Sequence, residues 1–157
     1  MKPWTIAYLA STVIVNALFI YVPPFPVLGV TVTLGSFLVG GTFMLRDFAQ
    51  REIGHKVVVA TVVGAIVTAF MSAQLALASG VAFLLSELAD WAVFSRWPGS
   101  FRSRVIASSA IGAPLDSILF TALAGFFSWP VVAVMTASKL VALLVLIPKA
   151  RKAVGDV

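Results

Sequence analysis

There is no cysteine in these 157 residues, which excludes disulfides, thiolate nucleophiles and cysteine-held metals. Histidine occurs once. His55 stands beside Lys56 in a charged segment without metal-ligand spacing around it and reads as a solvated side chain. Acid is scarce, with six Asp and Glu against eleven Lys and Arg, a net charge of +5. Such a balance points to nucleic acid only where basic residues form a stripe interleaved with stacking aromatics, and no such stripe occurs. Nucleophile–base pairs and phosphate loops are missing as well, so neither an enzyme nor a cofactor is expected. Polar surface is the last shortage. A chain that is 61% hydrophobic, with a mean hydropathy of +1.06, has too little of it to be a water-soluble domain of this size.

What is present is a map of membrane topology. Ten of the eleven basic residues fall in four clusters: Lys2; Arg46, Arg51 and Lys56; Arg96, Arg102 and Arg104; Lys149, Arg151 and Lys152. Paired apolar stretches separate them, each pair interrupted by an uncharged kink: Pro23-Pro24-Phe25-Pro26, the stretch from Gln74 to Gly80, and Ser128-Trp129-Pro130. Short loops rich in Lys and Arg stay in the cytoplasm. The expectation is an all-α polytopic membrane protein with six transmembrane helices and both termini inside. At about 20 apolar residues per crossing, the spans fall at 4–22, 27–45, 57–74, 76–94, 105–127 and 131–148 of a single domain. The first is longer than the 7–15 residues or so of a signal core and lacks a small-residue cleavage site, so it reads as a retained helix. The stretch from Val57 to Phe94 would run about 57 Å as one helix, nearly twice a bilayer core. It therefore folds back, near Ala78-Ser79-Gly80, and that reversal keeps the last basic cluster inside. Six spans also divide into two inverted halves of three helices, an arrangement known in transporters. Gly40-Gly41 before Asp47 and Gly112 before Asp116 are a faint echo between them, although small residues also serve ordinary helix packing in lipid.

Four charged residues fall within the spans: Glu87, Asp90, Asp116 and Lys139. A charge at the bilayer centre costs about 2.5–3.5 kcal/mol even on the mild insertion scale, so each requires a partner, a wet cavity or a ligand. Glu87 and Asp90 are three residues apart and share a helix face. Counted from the inner helix ends at 1.5 Å per residue, Asp90 lies about 6 Å deep, Glu87 about 10 Å, Lys139 about 13 Å and Asp116 about 16 Å. Asp90 can snorkel or pair with Arg96. Asp116 and Lys139 can form an ion pair that simply locks two helices. Alternatively, Glu87, Asp116 and Lys139 meet in a mid-membrane pocket whose surplus acid binds a cation or hydrogen-bond donor, or holds a proton. Asn16, Gln74, Ser86, Ser108, Ser109 and Ser117 add neutral hydrogen-bonding groups, Trp91 and Phe120 flat apolar faces, and Pro114 a point at which helix five can open. The segment from Arg46 to Lys56 reads as a solvated cytoplasmic turn in which Asp47 and Arg51 pair.

At these residues the chain resembles the vitamin-uptake-transporter-like family, which includes bacterial queuosine precursor transporters. Ser86-Glu87-Leu88-Ala89-Asp90 followed by Phe94 is similar to the family's helix-four pattern. Ser108-Ser109 followed by Asp116-Ser117-Ile118-Leu119-Phe120 is similar to its serine-rich helix with an Asp-Thr/Ser-apolar-apolar-Phe signature. Lys139 falls where the family tends to carry a lysine in its last helix, and Asn16 and the stretch from Asp47 to Gly54 also match. Two departures stand out: Arg51 where the family often has Glu, and Glu87 where longer members have Gln. The resemblance implies import of a 7-deazaguanine base, the nitrile or aminomethyl queuosine precursor, across the bacterial inner membrane. Its implied substrate contacts are Glu87 and Asp116, with Asp90 shaping the inner exit, Lys139 orienting Asp116, and Asn16 adding a hydrogen bond. The expected partners are the small-molecule solute and the lipid bilayer, and a homodimer is compatible with the sequence. The rival readings are a substrate-binding subunit of an ATP-driven vitamin or nucleobase uptake complex and a membrane protein with a purely structural role.

Overall fold

A computed structural model describes residues 2–27, 29–71 and 76–154; Gln74 lies outside them. The described chain is almost entirely helical: α1 (Pro3–Tyr21), a short antiparallel hairpin of β1 (Phe25–Val27) and β2 (Val30–Val32), α2 (Leu34–Ile53), α3 (Val57–Met71), α4 (Ala76–Arg96), α5 (Phe101–Leu123) and α6 (Trp129–Val154). Four runs are long and apolar enough to cross a membrane. They are Pro3–Tyr21, the stretch Leu34–Phe70 that joins α2 to α3, Leu77–Arg96 and Phe101–Leu123; Trp129–Val145 is a shorter apolar helix.

Side-chain contacts fix the helix directions. Trp4 and Thr5 meet Glu52, and a Cβ on Gly35 would meet Phe19, so α1 and α2 are antiparallel. Tyr8 pairs with Thr61 and Asn16 with Thr68, so α1 and α3 are parallel. The chain must therefore reverse between α2 and α3. It does so at the 3-10 turn Gly54–Lys56, where Gly54 takes φ +63°, a backbone that favours glycine. Gly64 against Phe83 and Gly80 against Ala69 make α3 and α4 antiparallel. Ser86 with Asp116, and Phe94 with Arg104, do the same for α4 and α5. Asp116 with Lys139, and Val105 clustered with Leu143, complete the series for α5 and α6. Both helical termini consequently lie at the end of the bundle that carries Glu52, Arg51 and Arg104.

Several boundaries differ from the sequence expectation: α5 (Phe101–Leu123) lies four residues earlier than the expected 105–127, and α6 (Trp129–Val154) runs past both ends of the expected 131–148. The second span, expected at 27–45, is displaced toward the C-terminus because Val30-Thr31-Val32-Thr33 is β-branched and extended. It pairs with Phe25–Val27 across a turn in which Gly29 takes φ +77°. Helix α2 then starts only at Leu34 and carries Arg46, Asp47 and Gln50 inside it. Ala78-Ser79-Gly80, expected at a reversal, lies within α4, which begins at Ala76.

The polarity of the bundle is opposite to that of a soluble domain. Large apolar side chains face outward, with Phe70 86%, Val59 66% and Leu144 60% exposed, while Arg46, Asp47 and Asp90 are fully buried. An exterior of this kind suits acyl chains, and the interior must satisfy its own polar groups. Close helix approach makes that interior. A Cβ on Gly40 of α2 would strike the backbone carbonyl of Lys139 on α6. A Cβ on Gly112 of α5 would come within 3.1 Å of Asp90 Cβ and 3.2 Å of the Phe43 ring. Small residues thus bring α2, α4, α5 and α6 together where the charges sit.

Candidate functional site

The buried charges divide into two networks. The first is centred on Arg46, which α2 aims into the bundle one turn beyond Thr42. Its Nη1 lies 3.0 Å from Asp47 Oδ1 and donates to Gln50 Oε1 at 2.6 Å; its Nη2 pairs with Asp90 Oδ2. Its Nε lies 3.3 Å from Glu87 Oε2, an ion pair that falls short of hydrogen-bond geometry. Tyr8 of α1 donates to the same Glu87 oxygen at 3.2 Å and sits 3.1 Å from Thr61 of α3. Ser108 of α5 donates to Asp47 Oδ2 at 3.2 Å, and Gln50 Nε2 donates to Ser95 of α4 at 2.8 Å. Five helices are tied through one guanidinium, whose planar fork of donors suits several carboxylates at once.

Three sequence expectations are corrected here. Arg46 and Asp47 are not on a solvated turn but fully buried. Asp47 faces Arg46 and Ser108 rather than Arg51, whose guanidinium lies 5.3 Å from the Phe101 ring centroid. Asp90 neither snorkels nor pairs with Arg96; it is buried against Arg46. The signal that could have identified Arg46 is its register: Thr42, Phe43, Ala49 and Gln50 stand three or four residues to either side of it, and all are buried.

The second network lies farther from the charged end. Lys139 Nζ donates to Asp116 Oδ2 at 2.5 Å and to Ser117 Oγ at 2.8 Å, and Ser86 Oγ donates to Asp116 Oδ1 at 3.3 Å. The expected Asp116–Lys139 pair is therefore present and joins α5 to α6. It is also the floor of a hollow. The Asp116 side chain keeps 13% of its surface open and, with Asn16, Phe19, Phe83, Phe120, Met135 and Lys139, lines a depression of about 40 Å³. Through Asn16, Phe19, Ser79, Phe120 and Met135 this continues into a wider vestibule of about 190 Å³. The mouth of the vestibule is rimmed by Thr31, Val32 and Thr33 of the hairpin segment and by Phe126 and Val131, at the end of the bundle opposite the basic clusters.

Of the expected site residues, Asp116, Lys139 and Asn16 line the hollow, and Glu87 and Asp90 do not; both acids belong to the Arg46 network. Phe120 contributes a wall, its ring centroid 6.1 Å from that of Phe19. Trp91 is elsewhere, donating from Nε1 to His55 Nδ1 at 3.3 Å. Pro114 leaves α5 continuous from Phe101 to Leu123.

The floor has unused hydrogen-bonding capacity. An ammonium carries three N–H groups and a carboxylate about four acceptor positions. Lys139 uses two of its three on Asp116 and Ser117. Asn16 commits its amide nitrogen to Thr12 O at 2.8 Å and Thr68 Oγ1 at 3.0 Å, which leaves its carboxamide oxygen for another partner. The floor can therefore accept at Asp116 and Asn16 and donate at Lys139. Among the described residues no group of three or more His, Cys, Asp or Glu forms a metal site.

An apolar helical bundle with a charged, hydrogen-bonding floor beneath an open vestibule is the architecture of a membrane transport protein. The family comparison agrees: residues 67–150 match the model described as "Putative vitamin uptake transporter", and the chain belongs to that family. No curated protein and no solved structure matches the chain.

Proposed function

We propose that the protein imports a 7-deazaguanine base, a queuosine precursor, across the bacterial inner membrane. It would do so through six membrane crossings with both termini in the cytoplasm. The observation that carries this reading is the Asp116–Lys139 pair at the floor of the vestibule. A guanine-type edge offers two adjacent N–H donors beside a carbonyl acceptor. Asp116 can accept the two donors as a bidentate pair, while the remaining Lys139 N–H donates to the carbonyl. Asn16 supplies a further acceptor, and Phe19 and Phe120 supply apolar faces for a flat ring. The vestibule is smaller than the 300–1,000 Å³ or so of typical ligand pockets, which favours a compact bicyclic base over a large vitamin. By the positive-inside rule its mouth faces outward, the orientation an importer requires for capture.

Growth or tRNA-modification rescue in a precursor-auxotrophic strain lacking ATP-driven vitamin uptake modules tests the reading. Wild type is expected to restore queuosine in tRNA, and Asp116→Asn is not. A well-expressed wild-type protein that gives no rescue removes the substrate assignment. Rescue that appears only when an ATP-driven module is restored makes this chain the binding subunit of such a complex.

A further inference from the structure

We propose that Glu87, in the Arg46 network, is the proton-carrying site that couples import to a transmembrane proton gradient, separate from the solute floor at Asp116. This rests on the transport reading above and assigns it an energy source.

The first ground is charge balance. Asp47, Glu87 and Asp90 share one guanidinium, and all four side chains are 0–1% exposed. Three carboxylates against one cation in a site without bulk water leave two negative charges that need a counter-charge. The second ground is unfilled valence. Glu87 Oε1 and Asp90 Oδ1 are buried without a hydrogen-bond partner among the described residues, although a buried carboxylate oxygen is ordinarily satisfied. A proton on one of these oxygens removes a charge and turns an acceptor that no group donates to into a donor among carboxylates. A metal ion is a poorer candidate, because no metal-binding group occurs among the described residues.

The surroundings single out Glu87. The titratable or charged groups in contact with it are Tyr8 from α1 and Arg46 from α2; Asp47 of α2 and Asp90 of its own helix share that guanidinium, and the acid of α5, Asp116, pairs with the adjacent Ser86. Helix α3 offers only the neutral Thr61, through Tyr8, and on α6 Lys139 is engaged by Asp116. Glu87 is also the acid of the Arg46 network to which a phenol donates, Tyr8 to Oε2. Ser86, its neighbour in sequence, donates to Asp116. On the other side Asp47–Ser108 and Gln50–Ser95 lead toward the charged end. A proton entering from vestibule water neutralises Glu87 and weakens its hold on Arg46. That loosens the tie among the five helices at the inner end, and the proton leaves to cytoplasmic water once that end opens.

Reconstituted protein in liposomes with an alkaline interior tests this, using radiolabelled 7-cyano-7-deazaguanine as probe. Wild type is expected to concentrate the probe and to stop when a protonophore is added. Glu87→Gln is expected to exchange the probe still but to accumulate it at least about tenfold less. Infrared difference spectra between acid and alkaline pH supply a readout that needs no solute. A protonated-carboxyl band is expected in wild type, lost in Glu87→Gln and kept in Asp116→Asn. Tyr8→Phe, which keeps Glu87 but removes its phenol donor, is expected to move the pH at which the band appears. Accumulation driven by a sodium gradient, or a carboxyl band unchanged in both Glu87→Gln and Tyr8→Phe, overturns the proposal. If the probe is not transported at all, the solute assignment fails while the infrared result still decides the proton site.

Discussion

Arg46 is the residue on which the inner half of the bundle depends. Its guanidinium faces three carboxylates within a single buried site. Removing one partner of a buried ion pair costs about 3–5 kcal/mol, because the remaining charge is left uncompensated. Arg46→Gln is therefore expected to destabilise the protein by about that amount, read as a lower unfolding temperature in detergent. Arg46→Gln combined with Asp90→Asn is expected to recover part of the loss, because one surplus charge leaves with its partner. If the double variant is no more stable than the single one, the ion-pair account of the network is wrong. The sequence made some of this legible. Counting residues from the helix ends brought Asp116 and Lys139 to similar depth, and they do meet. It could not reveal that Glu87 faces Arg46, because rotation about a helix axis is set by packing against neighbours rather than by depth. Arg46 was hidden by its company: in a run with Arg51, Glu52, His55 and Lys56 it reads as part of a solvated segment.

At the scale of elements, the contact of α2 with α6 decides the shape of the floor. Gly40 lies against the Lys139 carbonyl so closely that a methyl group cannot be added without moving one helix. Overpacking of this kind costs about 1–3 kcal/mol. Gly40→Ala is expected to lower stability within that range and to weaken solute binding by displacing Lys139. Gly64→Ala, whose new Cβ would sit 3.3 Å from the edge of the Phe83 ring, needs only a small shift and is expected to retain binding. Thermal unfolding and probe binding on the two variants, side by side, check the contrast; equal behaviour would remove any special role for the α2–α6 contact. The hairpin was the element least legible beforehand. Three prolines correctly marked a break after α1, but the β-branched run Val30–Thr33 was absorbed into an apolar span, since composition alone does not separate a short strand from the start of a helix.

For the molecule as a whole, the antiparallel alternation of helices and the gathering of ten of the eleven basic residues toward one end make a single testable statement about orientation. The absence of native cysteine makes the test clean. Ser100→Cys, beside the basic cluster between α4 and α5, and Phe127→Cys, between α5 and α6, both introduce exposed positions. In intact cells an impermeant thiol reagent is expected to label Cys at 127 from outside and to reach Cys at 100 only after the cells are opened. The opposite pattern would invert the topology and turn the vestibule toward the cytoplasm. Membership of the transporter family and the helical class could be read from composition and short motifs, because both are recorded in residue type. The division of the buried charge into a solute floor and a separate Arg46 network could not.

The central claim is that Asp116, held by Lys139 at the base of the vestibule, is the acceptor for the solute. Equilibrium binding of radiolabelled 7-cyano-7-deazaguanine to purified wild type, Asp116→Asn and Asp90→Asn tests it most directly. Hydrogen bonds to a charged group contribute about 1.5–3 kcal/mol each, so losing a bidentate pair is expected to weaken binding by about a hundredfold or more. Asp90→Asn, outside the vestibule, is expected to change affinity far less. Tight binding by Asp116→Asn, with Asp90→Asn the variant that fails, would contradict the account.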